Sequence, residues 1–262
     1  MSGAPDPEQE HAVDAVDAVD ADEVSRRLAA ESAVDGASPT GWFERLYAAA
    51  AHGEAEVPWD RGAPHALLTE WARRRAAGGA ADRTPAAPES GREPRALVIG
   101  AGLGDDAEFI AGLGYDTVAF DVAPTAVREA ERRFPDSAVH YRTADLLDPP
   151  PEWHRAFPFV FESQTVQALP VAYRRQAVAR VRDLVAPGGT LLVIAFAGEP
   201  GDEPDEGPPW PLTRADIDAF AADGLRAVRV EEVRDPEQPE VRRWRAEFSR
   251  AGVDGADGAA RG

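Results

Sequence analysis

The stretch ALVIGAGLGDDAEF, residues 96–109, decides the fold. It continues RALVI (95–99), a short apolar run that reads as a buried strand. The run breaks into Gly100, Gly102 and Gly104, each spaced by one residue, and then into Asp105 and Asp106. DDAEFIAGLG (105–114) reads as a helix ended by Gly112 or Gly114. Three glycines in a strand-to-helix turn have little packing rationale of their own; they let a backbone approach a ligand closely.

Working outward, strands alternate with helices. DTVAFDVA (116–123) reads as the second strand and PTAVREAERRF (124–134) as a helix opened by proline in its first turn. AVHYRTAD (138–145), FPFVFES (157–163) and GTLLVIAFA (189–197) read as further strands, with the helix VAYRRQAVARVRDLV (171–185) between the last two. TRADIDAFAADG (213–224) reads as a helix with Thr213 as its cap and Asp216 three residues on. LRAVRVEEV (225–233) and VRRWRAEFSR (241–250) alternate as strands that close the sheet as an antiparallel edge pair. The expected fold is α/β, a doubly wound, mostly parallel seven-stranded sheet of Rossmann-like type with an N-terminal helical lid. Upstream, PTGWFERLYAAAA (39–51) and HALLTEWARRRA (65–76) read as helices, with Trp42, Leu46 and Ala49 on one face of the first. The Arg-rich face of 171–185 reads as solvated, with a dimer contact as its alternative use.

The ligand follows from the turn. A dinucleotide fingerprint, G-x-G-x-x-G/A, seats a pyrophosphate on the helix N-terminus. Here two carboxylates stand at that mouth and would repel it. The G-K-[ST] of a phosphate loop is missing, and the chain contains no Lys. A cationic ligand end suits the two acids, and S-adenosylmethionine carries an ammonium and a sulfonium but no phosphate. Asp121, at the end of the second strand, can hydrogen-bond both ribose hydroxyls, which fits that cofactor and NAD alike. Asp145, at the end of the third strand, can accept from an adenine amino group or cap a turn.

LVIGAGLGDDAEFIAGLGYDTVAFDVAPTAVREA resembles motif I and the second strand of class I S-adenosylmethionine-dependent methyltransferases. PWDRGAPHALL before the sheet and GPPWPLTRADIDAF after it resemble the thiopurine S-methyltransferase and halide/thiol methyltransferase group, over roughly residues 40–250. The resemblance implies that Trp42 and Trp59 cover the cofactor, and that Gly100, Ala101 and Gly102 face its methionine moiety. It implies Asp121 and Val122 at the ribose, Asp145 and Leu146 at the adenine, and Glu162 and Ser163 at the methionine end and methyl group. The chain divides into an acidic tail that reads as disordered or loosely helical (1–38), a helical lid and linker (39–94), a methyltransferase core (95–250) and a second disordered tail (251–262). Gln164 and Gln167 stand where relatives are more apolar.

The implied activity is methyl transfer to a small-molecule acceptor, through sulfur or through oxygen or nitrogen. A thiolate or halide acceptor needs no base; an alcohol, amine or phenol can need one. Candidate bases near the expected methyl position are Glu162, His65 and Tyr47, whose bland alternatives are a cofactor-end ligand, a helix cap and lid packing. Trp210, in the acidic, Pro-rich loop GEPGDEPDEGPPWPL, either lines the acceptor site or anchors the loop. Two other classes remain open: a non-catalytic S-adenosylmethionine-binding protein and a nicotinamide-dependent oxidoreductase.

Composition bounds the rest. The 262 residues, 44% hydrophobic, suffice for one core, and no apolar run spans a bilayer, so a cytoplasmic protein without a membrane partner is expected. The chain has no Cys, hence no disulfide or thiolate nucleophile, and its His residues lack ligand spacing, so no metal is expected. A net charge of −19 argues against nucleic acid as partner. Residues 1–40 hold ten acids against two Arg, which reads as a solvating tail. The expected state is a monomer or a homodimer.

Overall fold

A computed structural model describes residues 21–34, 39–78, 93–199, 201 and 207–252. The readings of residues 1–20, of the linker 79–92, of the acidic stretch 202–206 and of the C-terminal tail from 253 lie outside the described residues. The seven strands are β1 (Arg95–Ile99), β2 (Asp116–Asp121), β3 (His140–Thr143), β4 (Phe157–Ser163), β5 (Val185–Phe196), β6 (Leu225–Arg234) and β7 (Arg242–Arg250). They form one sheet in the order β3-β2-β1-β4-β5-β7-β6. All pairs from β3 to β5 are parallel, and β7 runs antiparallel to both β5 and β6. The edge pair is therefore present, but only β7 opposes the sheet direction; β6 runs parallel to the five central strands.

The alternation of side chains explains the layers. Leu97 and Ile99 of β1, Val160 of β4 and Leu191 and Val193 of β5 point to one face, into a core completed by α6 (Val171–Leu184) and α7 (Arg214–Asp218). Ala96, Val98, Phe159, Phe161, Leu192 and Ile194 point to the other face, against α3 (Ala66–Ala77), α4 (Asp105–Gly112) and α5 (Pro124–Arg133). Both faces are covered, so the central strands read as continuous apolar runs. Two helices come out shorter than their patterns. α4 stops at Gly112, with Gly114 in the left-handed region at φ 92°, and α7 spans five residues, opened by a capping box in which Thr213 and Asp216 serve each other's backbone N–H.

Two polar faces turn out buried. On β7 the charged residues Arg243 and Arg245 are 2% and 4% exposed. α3 lies across Arg245, which pairs with Glu70 at 2.9 Å, and the Trp71 indole donates to Glu247 at 2.8 Å; Arg243 is enclosed by Asp235 and Phe196. On α6, Arg174 is buried and clasps Asp216 (2.9 Å) and the Trp210 carbonyl (3.0 Å), correcting its reading as part of a solvated face.

Within the described part of the tail the helical alternative holds: Ala21–Val34 forms helix α1. α1 and α2 (Gly41–Ala51) form a lid with Trp42, Phe43, Leu46 and Tyr47 packed on Ala123 and Ala126. Glu44 fastens α2 to the N-terminus of α5 by accepting from the Thr125 N–H (2.9 Å) and hydroxyl (2.6 Å). Arg45 donates to the Leu28 carbonyl at 2.6 Å and so ties α1 to α2. Among the described residues no helix is long and apolar enough to cross a membrane.

Candidate active site

Strand order reverses between β1 and β4, and a crevice opens at the carboxyl ends of strands flanking such a point. Here it is a cavity of about 650 Å³ roofed by the lid. Trp42, Tyr47, Trp59, Gly100, Ala101, Gly102, Asp121, Val122, Asp145, Leu146 and Ser163 all line it. His65 and Glu162 sit behind its wall rather than in it.

The glycine turn has the geometry of a close-approach cradle. Gly100, Gly102 and Gly104 are all left-handed, at φ 62°, 53° and 98°. A Cβ on Gly100 would lie 2.1 Å from the Thr165 hydroxyl, and one on Gly102 would lie 3.1 Å from the Tyr47 hydroxyl. Gly104 has a different cause: a Cβ there would meet the Tyr141 hydroxyl at 2.4 Å, so this glycine serves helix-to-strand packing.

Asp121 holds the turn. Its Oδ2 accepts from Gly102 N at 3.0 Å and its Oδ1 from Ala123 N at 2.9 Å. Each oxygen keeps a further lone pair. Burial pushes this carboxyl up to about 6, against the pull of those backbone donors. Asp145, in the cavity lining, uses Oδ1 to accept from Leu147 N at 2.8 Å, an Asx turn. The two acids at the helix mouth are both committed to protein. Asp106 accepts from His65 N at 2.7 Å, stapling the 58–65 loop to α4, and burial lifts it to about 6. Asp105 pairs with Arg133 at 3.4 Å.

The lid side is aromatic. Trp42 stacks on Phe43 (3.9 Å between centroids) and meets Trp59 edge-on at 6.0 Å. Trp59 Nε1 donates to the Tyr47 hydroxyl at 2.7 Å, and burial holds that phenol well above its ordinary value. Glu162 is fully buried; its Oε1 accepts from Thr165 N (2.8 Å) and Val166 N (3.0 Å), while Oε2 has no partner among the described residues. Burial lifts it to about 7. His65 caps α3, its Nδ1 accepting from Leu67 N at 3.2 Å, and burial drops it to about 3.

One part of the cavity escaped sequence reasoning. Arg61, Gln164, Phe196, Asp235 and Arg243 converge from four separate segments, with Pro208 and Pro209 beside them. Trp210 is not in this wall; its ring packs on Gly207, where a Cβ would come within 2.3 Å of it, and its N–H donates to the Gln167 carbonyl at 2.8 Å. It anchors the loop. The period-2 pattern of VRRWRAEF could place Arg243 on the charged face of a strand, but only the packing shows that face to be covered.

Similarity to known proteins agrees with this geometry. Residues 97–191, from β1 into β5, match the model of a family described as "Methyltransferase domain". Over 178 residues the chain is 26% identical to the probable thiol methyltransferase 2 of Arabidopsis thaliana, covering 66% of this chain and 68% of that one. The N-methyltransferase NodS from Bradyrhizobium japonicum WM9, solved with S-adenosylhomocysteine, superposes with a TM-score of 0.58 at 18% identity, over 81% of this chain and 98% of that one. A structure described under "Conversion of a Disulfide Bond into a Thioacetal Group during Echinomycin Biosynthesis" gives the same TM-score at 22% identity, over 80% and 93%. The sheet order, the glycine cradle with Asp121 and the match over residues 97–191 agree on a Rossmann-like fold of methyltransferase type. The domain match and the likeness to a thiol methyltransferase support methyltransferase activity for this chain.

Proposed function

We propose that the chain methylates a small molecule, and that the accepting atom is sulfur. The observation that carries this reading is that none of the three candidate bases is presented to the cavity as a free base: Glu162 and His65 lie outside its lining and Tyr47 is hydrogen-bonded to Trp59. Glu162 Oε1 serves two backbone N–H groups and its side chain lies behind the cavity wall. His65 caps a helix, and Tyr47 is held neutral by burial. An alcohol needs a proton taken from it, and an amine that is protonated at neutral pH must first lose one; a thiol, with an ordinary pKa of about 8.5, supplies its own nucleophile near neutral pH. The likeness to a probable thiol methyltransferase favours the same acceptor atom.

When bound, S-adenosylmethionine supplies an electrophilic methyl group. We assign Asp121 and Val122 to its ribose, Asp145 and Leu146 to its adenine, and the turn Gly100–Gly102 with Ser163 to its methionine end. Trp42, Trp59 and Tyr47 close the site from above, excluding water and orienting the reacting partners, which is the main contribution a protein can make to an in-line displacement. A cavity of about 650 Å³ has the size of a small-molecule pocket. Helices α1 and α2 and the 58–65 loop form one domain with the core on this reading.

The test pairs each thiol with its hydroxyl analogue and follows kcat/KM against pH. Methylation of the thiol alone, with a profile that shifts as the thiol's own pKa is changed, is expected. A profile fixed near pH 7 whatever the acceptor, and lost in Glu162→Gln, would assign the base role to Glu162 instead.

A further inference from the structure

The acceptor end of the cavity contains a recognition element that methyl transfer to a simple thiol does not use. Arg243, 2% exposed, is clamped in one plane. Its Nε donates to Asp235, itself 2% exposed, and its guanidinium carbon lies 4.0 Å above the Phe196 ring. Both fixings act on the inner edge and one face, so the outer edge is presented as a rigid fork. Arg61 reaches the same point from the 58–65 loop. With the Gln164 amide assigned from its donors, one oxygen accepts from Arg61 Nη2 at 2.9 Å and from Arg243 Nη1 at 3.1 Å. Gln164 holds that oxygen in place from a left-handed backbone, φ 61°, a strained conformation for a side chain of its kind.

Two guanidinium groups converge on one neutral oxygen through their Nη edges. Their acidic partners take the Nε edges. Asp235 takes the Nε edge of Arg243 and the N–H groups of Glu237 and Gln238, and Asp60 pairs with Arg133 at 3.1 Å. Glu237, half-exposed, forms a long ion pair with Arg61 Nε at 3.9 Å, which leaves the Nη edge toward Gln164. A guanidinium has five N–H donors, and Asp235 and Gln164 engage two of those on Arg243. A carboxylate matches the remaining fork, and charge-assisted bonds to it are roughly twice as strong as those to a neutral amide.

We propose that the methyl acceptor carries a carboxylate, which Arg243 and Arg61 receive in place of the Gln164 amide oxygen. The inference rests on the small-molecule reading above and adds the acceptor's second functional group. The site then orients the acceptor by its acid, leaving the nucleophilic atom toward the glycine turn.

Ligand-observed NMR on the full chain saturated with S-adenosylhomocysteine tests this without requiring turnover. The probes are phenylacetate and its isosteric amide, phenylacetamide. The acid is expected to bind about tenfold more tightly or better, the effect of one charge-assisted bond. Arg61→Gln, on an exposed loop, should abolish the preference, and so should Gln164→Glu, which gives the two arginines a carboxylate of their own. Arg243→Gln should do the same, with a melting curve to confirm that it folds. Equal affinities, preference for the amide, absence of binding by the acid, or an acid preference that survives Arg61→Gln and Gln164→Glu would overturn the proposal. Methylation of uncharged thiols by an enzyme that ignores the acid would keep the proposed function and remove this inference alone. Acid-selective binding without methylation of any thiol would keep this inference and remove the sulfur reading.

Discussion

Asp121→Ala separates stability from cofactor binding, and the magnitudes can be worked from the structure. The substitution strips two backbone N–H groups, of Gly102 and Ala123, of their acceptor. Each unpaired buried donor costs about 1–3 kcal/mol. Against this stands the carboxylate's own desolvation. Its folded pKa of about 6 lies above the unfolded value of about 3.9, so ionised Asp121 destabilises the fold at pH 7 by about 3 kcal/mol, at about 1.4 kcal/mol per pH unit. The two effects offset, and the variant should melt within a few degrees of the parent. Binding has no such offset. Two ribose hydroxyls that each lose a charged partner cost about 1.5–3 kcal/mol apiece, which raises the Kd by about 10²- to 10⁴-fold. Calorimetric titration with S-adenosylhomocysteine, beside a melting curve, reads both. In the parent, affinity should also fall as pH drops below about 6, where Asp121 gains its proton. A folded Asp121→Ala variant that binds within about threefold of the parent, a change of only ~0.7 kcal/mol, would refute the assignment of Asp121 to the ribose.

Other perturbations test neighbouring parts. Gly100→Ala puts a Cβ 2.1 Å from the Thr165 hydroxyl at a left-handed φ, and should lower stability by about 1–3 kcal/mol and weaken cofactor binding, read by melting and titration. His65→Ala should cost about 1 kcal/mol through the lost α3 cap, with His65→Asn restoring most of it; a loss of kcat out of proportion to stability would return His65 to the chemistry. Glu162→Gln concerns pH. The folded pKa of Glu162, about 7, lies above its unfolded value, so its protonated form contributes stability that is present at low pH and lost as pH rises toward 7 and beyond. Glu162→Gln keeps the oxygen that accepts from Thr165 and Val166, and should flatten the stability profile between about pH 5 and 8; an unchanged slope in urea titrations would contradict this.

Where local chemistry decided the structure, the sequence could be read. The turn Gly100–Gly104 needs positive φ, the strand Asp116–Asp121 is apolar up to its terminal acid, and Thr213 with Asp216 closes a capping box. These features depend on residues within a few positions of one another. What stayed hidden depends on distant segments. Arg243 and Arg245 alternate with Trp244 and Ala246 as a solvated strand face would, and only distant partners bury that face: α3 over Arg245, and Asp235 with Phe196 around Arg243. Arg174 looks like surface charge until Asp216 and the Trp210 carbonyl, some forty residues on, close around it. The acids at the mouth of α4 read as a greeting for a cationic ligand, yet each already has a protein partner in His65 and Arg133. Helix α1 was legible only as one of two alternatives for a related reason: its few apolar residues gain burial by packing on α2.

The central claim is methyl transfer from S-adenosylmethionine to a small acceptor. Its most direct test is incubation of the full chain with methyl-labelled S-adenosylmethionine and a panel of thiols with and without a carboxylate, analysed by mass spectrometry. The account predicts a labelled thioether formed in step with S-adenosylhomocysteine, fastest for an acid-bearing thiol and lost in Asp121→Ala. Tight cofactor binding with no labelled product from any thiol, alcohol or amine would contradict it and leave a binding protein in place of an enzyme.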